Sequence, residues 1–504
     1  ILILFLVLNT NLKKDQIYFL GFLLLIGSIV FILLINKYEN FGFANYDLGI
    51  FFNKIANIDQ GYYSYIFHGH SNFYLLLFAA LLKIFTLKYI IYFSIFFKVL
   101  VLFATAIWIR YKLNFFLSYL YLLFFPIWFL LMDNYKLDYL IIPLSFFIFY
   151  FIRKKNYLPS LFLSILVIFL KEFFSIYIFC FGIFILFSDN KNKKDYFYSL
   201  VFIITSFLIF YLLTHHLITT SAWNTNNLNQ NEFYKDNIFF FFKSLIKSFF
   251  ENQNLTFDEI LIKIKFYIFP FLSLAFLNLF KKKYLIFFFP IFFVSLVPTD
   301  LNHSGYGHHY YATIVSPSIY AIYDLMNKDK FTLIKNNFIL IFVFIFHVLI
   351  SPSPVSKLFW SNKIEKYGFP IYMKKPEYKK LSEFLETIKD DQIIVAQNNL
   401  INAKIIMQNK MLVFPQGILE SAIVPIYEKN IISKTYKTKN IFADYLILDS
   451  SREKFIKDRS CMKIYQKCNN FHISNKYDEI KKGLPKNFKI IYEINNIRVY
   501  ERLK

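Results

Sequence analysis

Cysteine is scarce in this chain of 504 residues, which contains three. Cys180, Cys461 and Cys468 have no partners at the spacing of zinc ligands, so the sequence gives no sign of a cysteine-based zinc site. Cys461 and Cys468 lie seven residues apart and could form a disulfide if their domain is extracytoplasmic. Cysteine chemistry is therefore not expected to be the basis of the fold.

Nucleotide-binding motifs are also missing. There is no glycine-rich phosphate loop, no G-x-G-x-x-G and no serine-hydrolase elbow. We therefore expect neither soluble nucleotide chemistry nor a nucleic-acid partner. No internal repeat is visible, and Lys98 is the only clear charge in the middle of an apolar run.

Apolar runs dominate what remains. Hydrophobic residues make up 57% of the chain, with 68 phenylalanines. Runs of about 17–25 apolar residues, separated by short charged segments, are typical of a polytopic helical membrane protein. No small-residue cleavage site follows the first run, so we expect it to remain in the protein. We predict about eleven transmembrane helices, at about 17–35, 89–109, 115–131, 139–152, 158–170, 173–187, 196–214, 262–280, 284–298, 309–325 and 333–351.

The stretch 73–86, "FYLLLFAALLKIFT", could be an interfacial or re-entrant helix or a twelfth span. If it is interfacial, 16 basic residues fall in six short loops on one side, against about nine in the longer loops opposite. Basic residues stay cytoplasmic, so we predict a cell-membrane protein with a cytoplasmic N-terminus and an extracytoplasmic C-terminal region. Counting 73–86 as a span would place "RKK" and "KKK" outside.

The composition changes after the linker "SPSPVSKLFW". We predict a transmembrane domain over 1–356, with 36–88 as a first outer loop carrying interfacial helices, and a small extracytoplasmic α/β domain over 357–504. In that domain "EYKKLSEFLETI" and "NAKIIMQN" read as helices, whereas "DQIIVAQ", "KMLVFP" and "ADYLILDS" read as strands. The last segment reads as a hairpin that turns at Asn495–Asn496. Its 28 basic and 16 acidic residues favour a solvated surface, with attraction to anionic membrane lipids as the alternative.

With this topology, many polar residues fall at the outer ends of spans or in outer loops, including seven of the nine histidines. This segregation indicates an active chamber at the outer membrane face. The residues are Asp47, His68, His70, Asp133, Asp138, Lys171, Glu172, His215, His216, Asp300, His303, His308 and His309.

Asp47, in "NYDLGIFFNK", follows the first span by about ten residues. As a single residue it is most simply the N-cap of a helix over 48–58. A carboxylate at the bilayer edge could instead take a proton from an acceptor hydroxyl. Asp47 has no basic residue within six positions, which leaves it free to act as a base.

Lys171 and Glu172, in "FLKEFF", separate two short apolar runs. They could form a plain interhelical turn, but the turn has no Gly, Pro or Asn, and charges at membrane depth are costly unless they have a function. We favour a site in which Lys171 neutralises a lipid phosphate and Glu172 fixes its position.

The segment "DLNHSGYGHHYY" (300–311) is the densest polar cluster. His303, His308 and His309 could bind zinc, yet their spacing matches no known ligand pattern. Hydrogen bonding to phosphate or sugar hydroxyls is the preferred interpretation. The sequence establishes no cofactor, and a divalent metal stays open.

Several of these stretches together resemble the predicted membrane proteins grouped as domain-of-unknown-function family 2079. "YDLGIFFNKI" is similar to the family's opening loop, "GHSNFYLLLFAALLKI" to its His-containing loop, and "FLKEFFSIYIF" to its Lys-Glu turn. "FPIWFLLMDNYKLDYLIIPLSFF" resembles its "P…DFHPE…P" segment and "GHHYYATIVSPSIYA" its late His-Tyr segment. Lys136 stands where the family usually has His, which puts a role for that imidazole in doubt.

That family is similar to the GT-C superfamily of integral-membrane glycosyltransferases. The resemblance implies a polyprenyl-phosphate-linked sugar donor, an inverting transfer to a lipid, glycan or protein acceptor, and an aspartate base in the first external loop, here Asp47. The expected substrate-binding residues are Tyr46, His70, Asp133, Asp138, Lys171, Glu172, His303, His308 and His309.

Two other function classes compete with a transferase. A lipid or sugar transporter or flippase would be marked by intramembrane charges along a path or by inverted repeats, whereas Lys98 is the one clear mid-span charge. A non-catalytic scaffold would not explain why His, Asp and Glu residues cluster on the outer side.

Overall fold

The computed structural model describes most of the helical region and parts of the C-terminal region. The described residues are 14–43, 46–61, 63, 66, 72–133, 137–188, 191–220, 257–291, 311–328, 333–362, 367–389, 392–397, 400, 410–414, 418, 427–428, 431–432, 442–452, 477 and 484–503. The predicted helix "NAKIIMQN" lies outside them.

Helices account for most of these residues. The α-helices are α1 (Lys14–Glu39), α2 (Tyr46–Asp59), α3 (Leu75–Leu82), α4 (Leu87–Lys112), α5 (Phe115–Leu123), α6 (Phe125–Met132), α7 (Ile141–Arg153), α8 (Tyr157–Ile168), α9 (Phe174–Leu186), α10 (Lys193–Thr220), α11 (Phe257–Leu272), α12 (Ala312–Lys328), α13 (Leu333–Ile350) and α14 (Pro376–Thr387). Short 3₁₀-helices occupy Leu137–Leu140, Leu277–Leu279, Lys282–Phe288 and Phe369–Ile371.

Three helices of the described residues are long and apolar enough to cross a membrane: Lys14–Glu39, Lys88–Lys112 and Lys193–Leu213. The bent pair α5–α6 makes a fourth if it counts as one span. Large apolar side chains on α1, α10 and α13 point outward, among them Leu24, Ile32, Phe207, Phe338 and Phe344. Such a surface is stable against lipid and not against water. The chain is therefore a mainly helical protein with membrane-crossing helices, and the predicted count of eleven goes beyond what helix length and composition establish.

The predicted span 115–131 is broken in the structure. Helices α5 and α6 meet at an angle of 54°, because Pro126 at the start of α6 has no N–H to bond the carbonyl of Leu122. The Trp128 indole donates to that carbonyl at 2.6 Å, and His347 bonds the next one, Leu123, at 2.8 Å. Side chains thus replace the backbone hydrogen bonds that the break removes, as an apolar environment requires.

The predicted span 262–280 is also shorter than expected. Helix α11 contains Pro270 and ends at Leu272, and Ala275 and Phe276 then adopt left-handed backbone angles. The Tyr311 hydroxyl donates at 2.7 Å to the Phe266 carbonyl, which is the one that Pro270 leaves without a helical partner. The next predicted span, 284–298, starts as the 3₁₀-helix Lys282–Phe288, and its second half lies outside the described residues.

A sheet of five strands forms the core of the C-terminal region, in the order β2-β1-β5-β7-β6. β1 (Ile393–Ala396) pairs in parallel with β2 (Lys410–Val413) and with β5 (Tyr445–Asp449). β7 (Ile497–Arg502) runs antiparallel to β5 and to β6 (Phe488–Ile494). Tyr427–Glu428 and Ile431–Ile432 form a separate short pair, β3 and β4. The predictions of helix α14, of strands β1, β2 and β5, and of a hairpin turning at Asn495–Asn496 are confirmed.

Helices α1 and α4 pack antiparallel, which defines two ends of the helical domain. At one end Arg110 forms an ion pair with Asp15 at 2.7 Å, and at the other the Tyr92 hydroxyl donates to Glu39. We call these the Asp15 end and the Glu39 end. At the end of α7, Arg153 pairs with Asp324, which also accepts from Tyr284 at 2.8 Å and pairs with Lys283 at 3.2 Å. Arg153 of "RKK" and Lys283 of "KKK", which the sequence places on one side of the membrane, therefore contact one shared carboxylate.

Candidate functional site: the charged residues at the Glu39 end

The end of helix α6 is held by two buried lysines. The Lys37 ammonium, at the end of α1, donates to the Met132 carbonyl at 2.6 Å and lies 5.1–5.7 Å from the ring centres of Phe43, Tyr367 and Tyr372. Carbonyls at a helix C-terminus carry partial negative charge, which favours a cation there. Lys37 thus has a structural role between α1, α6 and the segment after α13.

Lys98 has a similar contact one residue further on. It projects from α4, is 2% exposed, and donates to the Asp133 carbonyl at 3.3 Å. Asp133, a predicted substrate-binding residue, is half-buried at the C-cap of α6. The sequence suggested Lys136 as its ion-pair partner, but Lys136 lies outside the described residues, and the basic residue seen at Asp133 is Lys98.

Tyr372 completes this cluster from the segment that leads to the α/β domain. Its ring is buried, and its hydroxyl forms no hydrogen bond with any residue that the structure describes. Burial, and then the negative charge of Asp133, raise the pKa of Tyr372. Asp133 therefore lies near a buried hydroxyl as well as a buried lysine.

Helices α2 and α3 form one unit that rests on the α8–α9 hairpin. The Phe51 and Phe78 rings pack at 5.5 Å between α2 and α3. Before α3 begins, the Phe73 N–H donates to the Phe169 carbonyl at 3.0 Å, and the Tyr74 hydroxyl donates to the Leu166 carbonyl at 3.2 Å. Helix α3 has eight residues, about 12 Å in length, which is well below the thickness of a bilayer core. The unit is thus held directly against the turn that carries Lys171 and Glu172.

Lys54 of α2 is directed toward that turn. It is 9% exposed and forms no hydrogen bond or ion pair with the residues that the structure describes. Burial lowers the pKa of Lys54 to about 8; the charge of Glu172 acts to raise it and the charge of Lys171 to lower it. Glu172 is buried and Lys171 half-buried, and the charges of both act on Lys54 across the contact between α2 and the α8–α9 turn.

The position of Asp47 follows from the helix that contains it. Asp47 is the second residue of α2 and lies seven residues before Lys54, which is two turns or about 10 Å along the helix axis. Phe51, Lys54 and Ile58 lie on one face of α2 and are buried. Asp47 thus belongs to the helix that packs against the Lys171–Glu172 turn.

The other predicted site residues divide into two groups. Asp138 is buried in the 3₁₀-helix that precedes α7. Tyr46 begins α2. His70, His303, His308 and His309 lie outside the described residues. Among the residues that the structure describes, no group of three His, Cys, Asp or Glu side chains could hold a metal ion, and the proposed zinc ligands are not among them.

Lys37, Lys54 and Lys98 are three buried lysines that the sequence did not single out as site residues. Lys98 was noticed as a mid-span charge without an assigned role. A weak indication for Lys54 was present in the sequence, because it lies on the apolar face of an amphipathic helix and a lysine is rarely buried there unless another group compensates its charge. Its neighbours 171 and 172 are more than a hundred residues away, so tertiary packing alone brings them together.

The α/β domain docks on the turn that ends α1. The Phe41 and Gly42 N–H groups bond the Tyr38 and Lys37 carbonyls at 2.9 and 2.7 Å, with Phe41 in the left-handed region at φ 56°, the pattern of a Schellman motif. A Cβ at Gly42 would lie 2.8 Å from the Lys37 carbonyl oxygen, which explains the glycine. Phe41 accepts an unfavourable backbone angle because its ring packs in the α/β core against Tyr378.

Arg452 fixes the same contact by polar bonds. Its guanidinium donates to the carbonyls of Asn40 and Phe41, the latter at 2.9 Å, and to Asp449 at 3.1 Å. Asp449, fully buried at the end of β5, also accepts from the Tyr378 hydroxyl at 2.6 Å. Burial raises the pKa of Tyr378 to about 12, so the hydroxyl stays a donor at neutral pH. The α/β domain is thus bonded to the loop that leads into α2.

The comparison with protein families agrees with the sequence motifs. The model of the family described as "Predicted membrane protein (DUF2079)" matches residues 37–480, which covers most of the helical domain and most of the α/β domain. The chain belongs to this family. No curated protein and no solved structure matches it.

Proposed function

We propose that this DUF2079 protein is a membrane glycosyltransferase that moves a sugar from a polyprenyl-phosphate-linked donor to an acceptor at the outer membrane face. The observation that carries the proposal is the packing of α2, the helix that contains Asp47. With α3 it rests on the hairpin whose turn carries Lys171 and Glu172. An acidic position near buried cations at one end of a membrane domain suits a reaction that needs both a base and an anion site.

The reaction would be an inverting displacement. The acceptor oxygen attacks the anomeric carbon, the bond from that carbon to the phosphate oxygen breaks, and the polyprenyl phosphate leaves with the bonding electrons. Asp47 takes the proton that the acceptor hydroxyl loses. Lys171 would balance the negative charge on the phosphate, and Glu172 would hold Lys171 in position.

The remaining predicted residues would bind the sugar and the acceptor. Asp133 and Asp138 lie at the start and end of the connection between α6 and α7, where carboxylates suit sugar hydroxyls. We assign Tyr46, His70, His303, His308 and His309 to the same task, with a divalent cation as an open addition. The acceptor would be a lipid, a glycan or a protein.

The architecture that fits this function is GT-C-like, with about eleven spans, a cytoplasmic N-terminus and an extracytoplasmic α/β domain. In support, the ion pairs Arg110–Asp15, Arg153–Asp324 and Lys155–Asp195 each join residues that the basic-residue asymmetry puts on the cytoplasmic side. The α/β domain contacts the opposite end of α1.

Transfer by the reconstituted protein tests the function. Vesicles that contain the protein and a series of polyprenyl-phosphate sugars should consume one of them, and Asp47→Asn should reduce turnover by about 10²–10⁴-fold while expression and donor binding stay near normal. Asp59→Asn, the same change at the exposed end of α2, is the matched control and should leave turnover unchanged.

Two results would contradict the proposal. Turnover close to wild type in Asp47→Asn would leave this residue without a catalytic role, as an ordinary residue of the first turn of α2. Movement of intact donor across the bilayer, with no transfer of sugar, would favour a flippase.

A further inference from the structure

The segment "SPSPVSKLFW", residues 351–360 after α13, has an inverted distribution of polar and apolar side chains. Its three serines are at most 1% exposed, whereas Val355 and Trp360 are 58% and 59% exposed. A linker in water normally turns its serines outward and its apolar side chains inward. The opposite arrangement is expected where the surroundings are themselves apolar.

The polar groups of this segment are bonded within the protein. The Ser353 hydroxyl and Nε2 of His347 are 2.7 Å apart, and the Ser356 hydroxyl donates to the Ser353 carbonyl at 2.8 Å. Trp360, although exposed, donates its indole N–H to the Pro354 carbonyl at 2.8 Å. Polar groups that are paired in this way can leave water at little cost.

The contact with His347 shows where the segment begins along the bundle. Nδ1 of His347 bonds the Leu123 carbonyl, at the break that precedes α6. Helix α6 ends at Met132, which Lys37 holds at the Glu39 end, and its eight residues measure about 12 Å along the axis. Ser353 bonds the other nitrogen of the His347 ring, so the segment begins inside the helical domain and not above the Glu39 end.

The segment also continues the lipid-facing surface of α13. Outward residues recur there at every fourth position and are 55–57% exposed: Ile341, Ile345 and Leu349. The Lys357 N–H donates to the Val348 carbonyl at 2.8 Å, which folds the segment back on the last turn of α13. Val355 therefore adds an exposed apolar side chain at the end of a helix that already faces lipid.

We propose that residues 351–360 lie within the lipid leaflet at the Glu39 end, with bilayer lipid as the partner of their exposed side. Val355 contacts acyl chains, and Trp360 lies at the boundary with the headgroups, where indole rings are favoured. The exposed Lys357 reaches the same boundary with its long side chain. The segment is then a membrane anchor that holds the α/β domain at the bilayer surface.

The first measurement asks whether lipid contacts position 355. In a background without Cys461 and Cys468, Val355→Cys is labelled in detergent with a nitrobenzoxadiazole fluorophore and placed in nanodiscs. Phosphatidylcholine with brominated acyl chains should quench most of this fluorescence, because bromine quenches on contact. Lys379→Cys, on a side chain of α14 that is 82% exposed, is the matched control and should keep its fluorescence. Equally weak quenching at both positions would overturn the proposal.

The second measurement uses Trp360, one of four tryptophans, without a label. The difference in emission between wild type and Trp360→Phe isolates this ring, and equal melting temperatures of the two proteins show that the fold is kept. Brominated lipid should quench the difference more strongly than aqueous iodide does. Stronger quenching by iodide would place the ring in water and overturn the proposal.

A protein cover is the other occupant that these measurements exclude or reveal. If neither brominated lipid nor iodide quenches positions 355 and 360, another part of this chain or a second copy covers them, and the proposal is wrong. Neither measurement involves sugar transfer. Immersion of the segment in a protein without transferase activity would therefore reject the proposed function alone, and a water-exposed segment in an active transferase would reject only the anchor.

Discussion

Three side chains at the residue scale explain how prolines are accommodated inside an apolar bundle. Trp128 and His347 bond the carbonyls that the break at Pro126 frees, and Tyr311 bonds the one that Pro270 frees. Water is absent from a bilayer core, so an unpaired carbonyl there is costly. Each of these side chains thus provides the hydrogen bond that a backbone carbonyl loses where the helix is broken.

The Tyr311 hydroxyl offers the simplest test of this idea. Tyr311→Phe keeps the ring packing against Phe266 but removes the donor, so the free energy of unfolding should fall by about 1 kcal/mol. Thermal unfolding in detergent measures the change. Tyr89→Phe, at an exposed ring, should have no effect, and an unchanged Tyr311→Phe would mean that the carbonyl finds another partner.

Secondary structure was predictable where the signal is local. Strands β1, β2 and β5 and the β6–β7 hairpin follow from short apolar runs and an Asn-Asn turn, and the turn indeed has Asn495 in the left-handed region. The helix breaks were missed because the apolar runs continue on both sides of Pro126 and Pro270, so each run was predicted as one uninterrupted span. Lys54 was missed because its meeting with Glu172 depends on how α2 packs against the α8–α9 hairpin.

At the scale of elements, the contact between the α1–α2 loop and the α/β domain stands out. Arg452 and Phe41 join the end of β5 and helix α14 to the turn that directly precedes α2. Because α2 carries the Asp47 position, any movement of the α/β domain would be transmitted to the proposed base. The loop is short, since four residues are described between α1 and the start of the gap before α2.

Replacing Arg452 should release this contact. The side chain is 4% exposed and paired with a fully buried Asp449, so Arg452→Met leaves a buried charge unpaired and should cost about 3–5 kcal/mol. Hydrogen exchange of the Phe41 and Gly42 amides should accelerate. Arg498→Met breaks a more exposed pair with Glu493 and should cost at most about 1 kcal/mol; equal effects of the two variants would argue against the docking role.

At the scale of the whole molecule, the two ends of the helical domain differ in chemistry. The Glu39 end collects Lys54, Lys171, Glu172 and Asp133 together with the α/β domain, whereas the Asp15 end carries the ion pair with Arg110. The functional account requires the Glu39 end to face the side where lipid-linked sugars are used. The roles proposed for the donor and acceptor sites depend on this orientation.

Site-directed labelling measures the orientation directly. Lys379 is a suitable site in the α/β domain because its side chain is 82% exposed, whereas Leu400 is buried and would resist any reagent. In a background without Cys461 and Cys468, Lys379→Cys should react with a membrane-impermeant maleimide added to intact cells. Lys193→Cys, exposed at the start of α10, should react only after permeabilisation. The reverse pattern would place the charged cluster in the cytoplasm and contradict sugar transfer at the outer face.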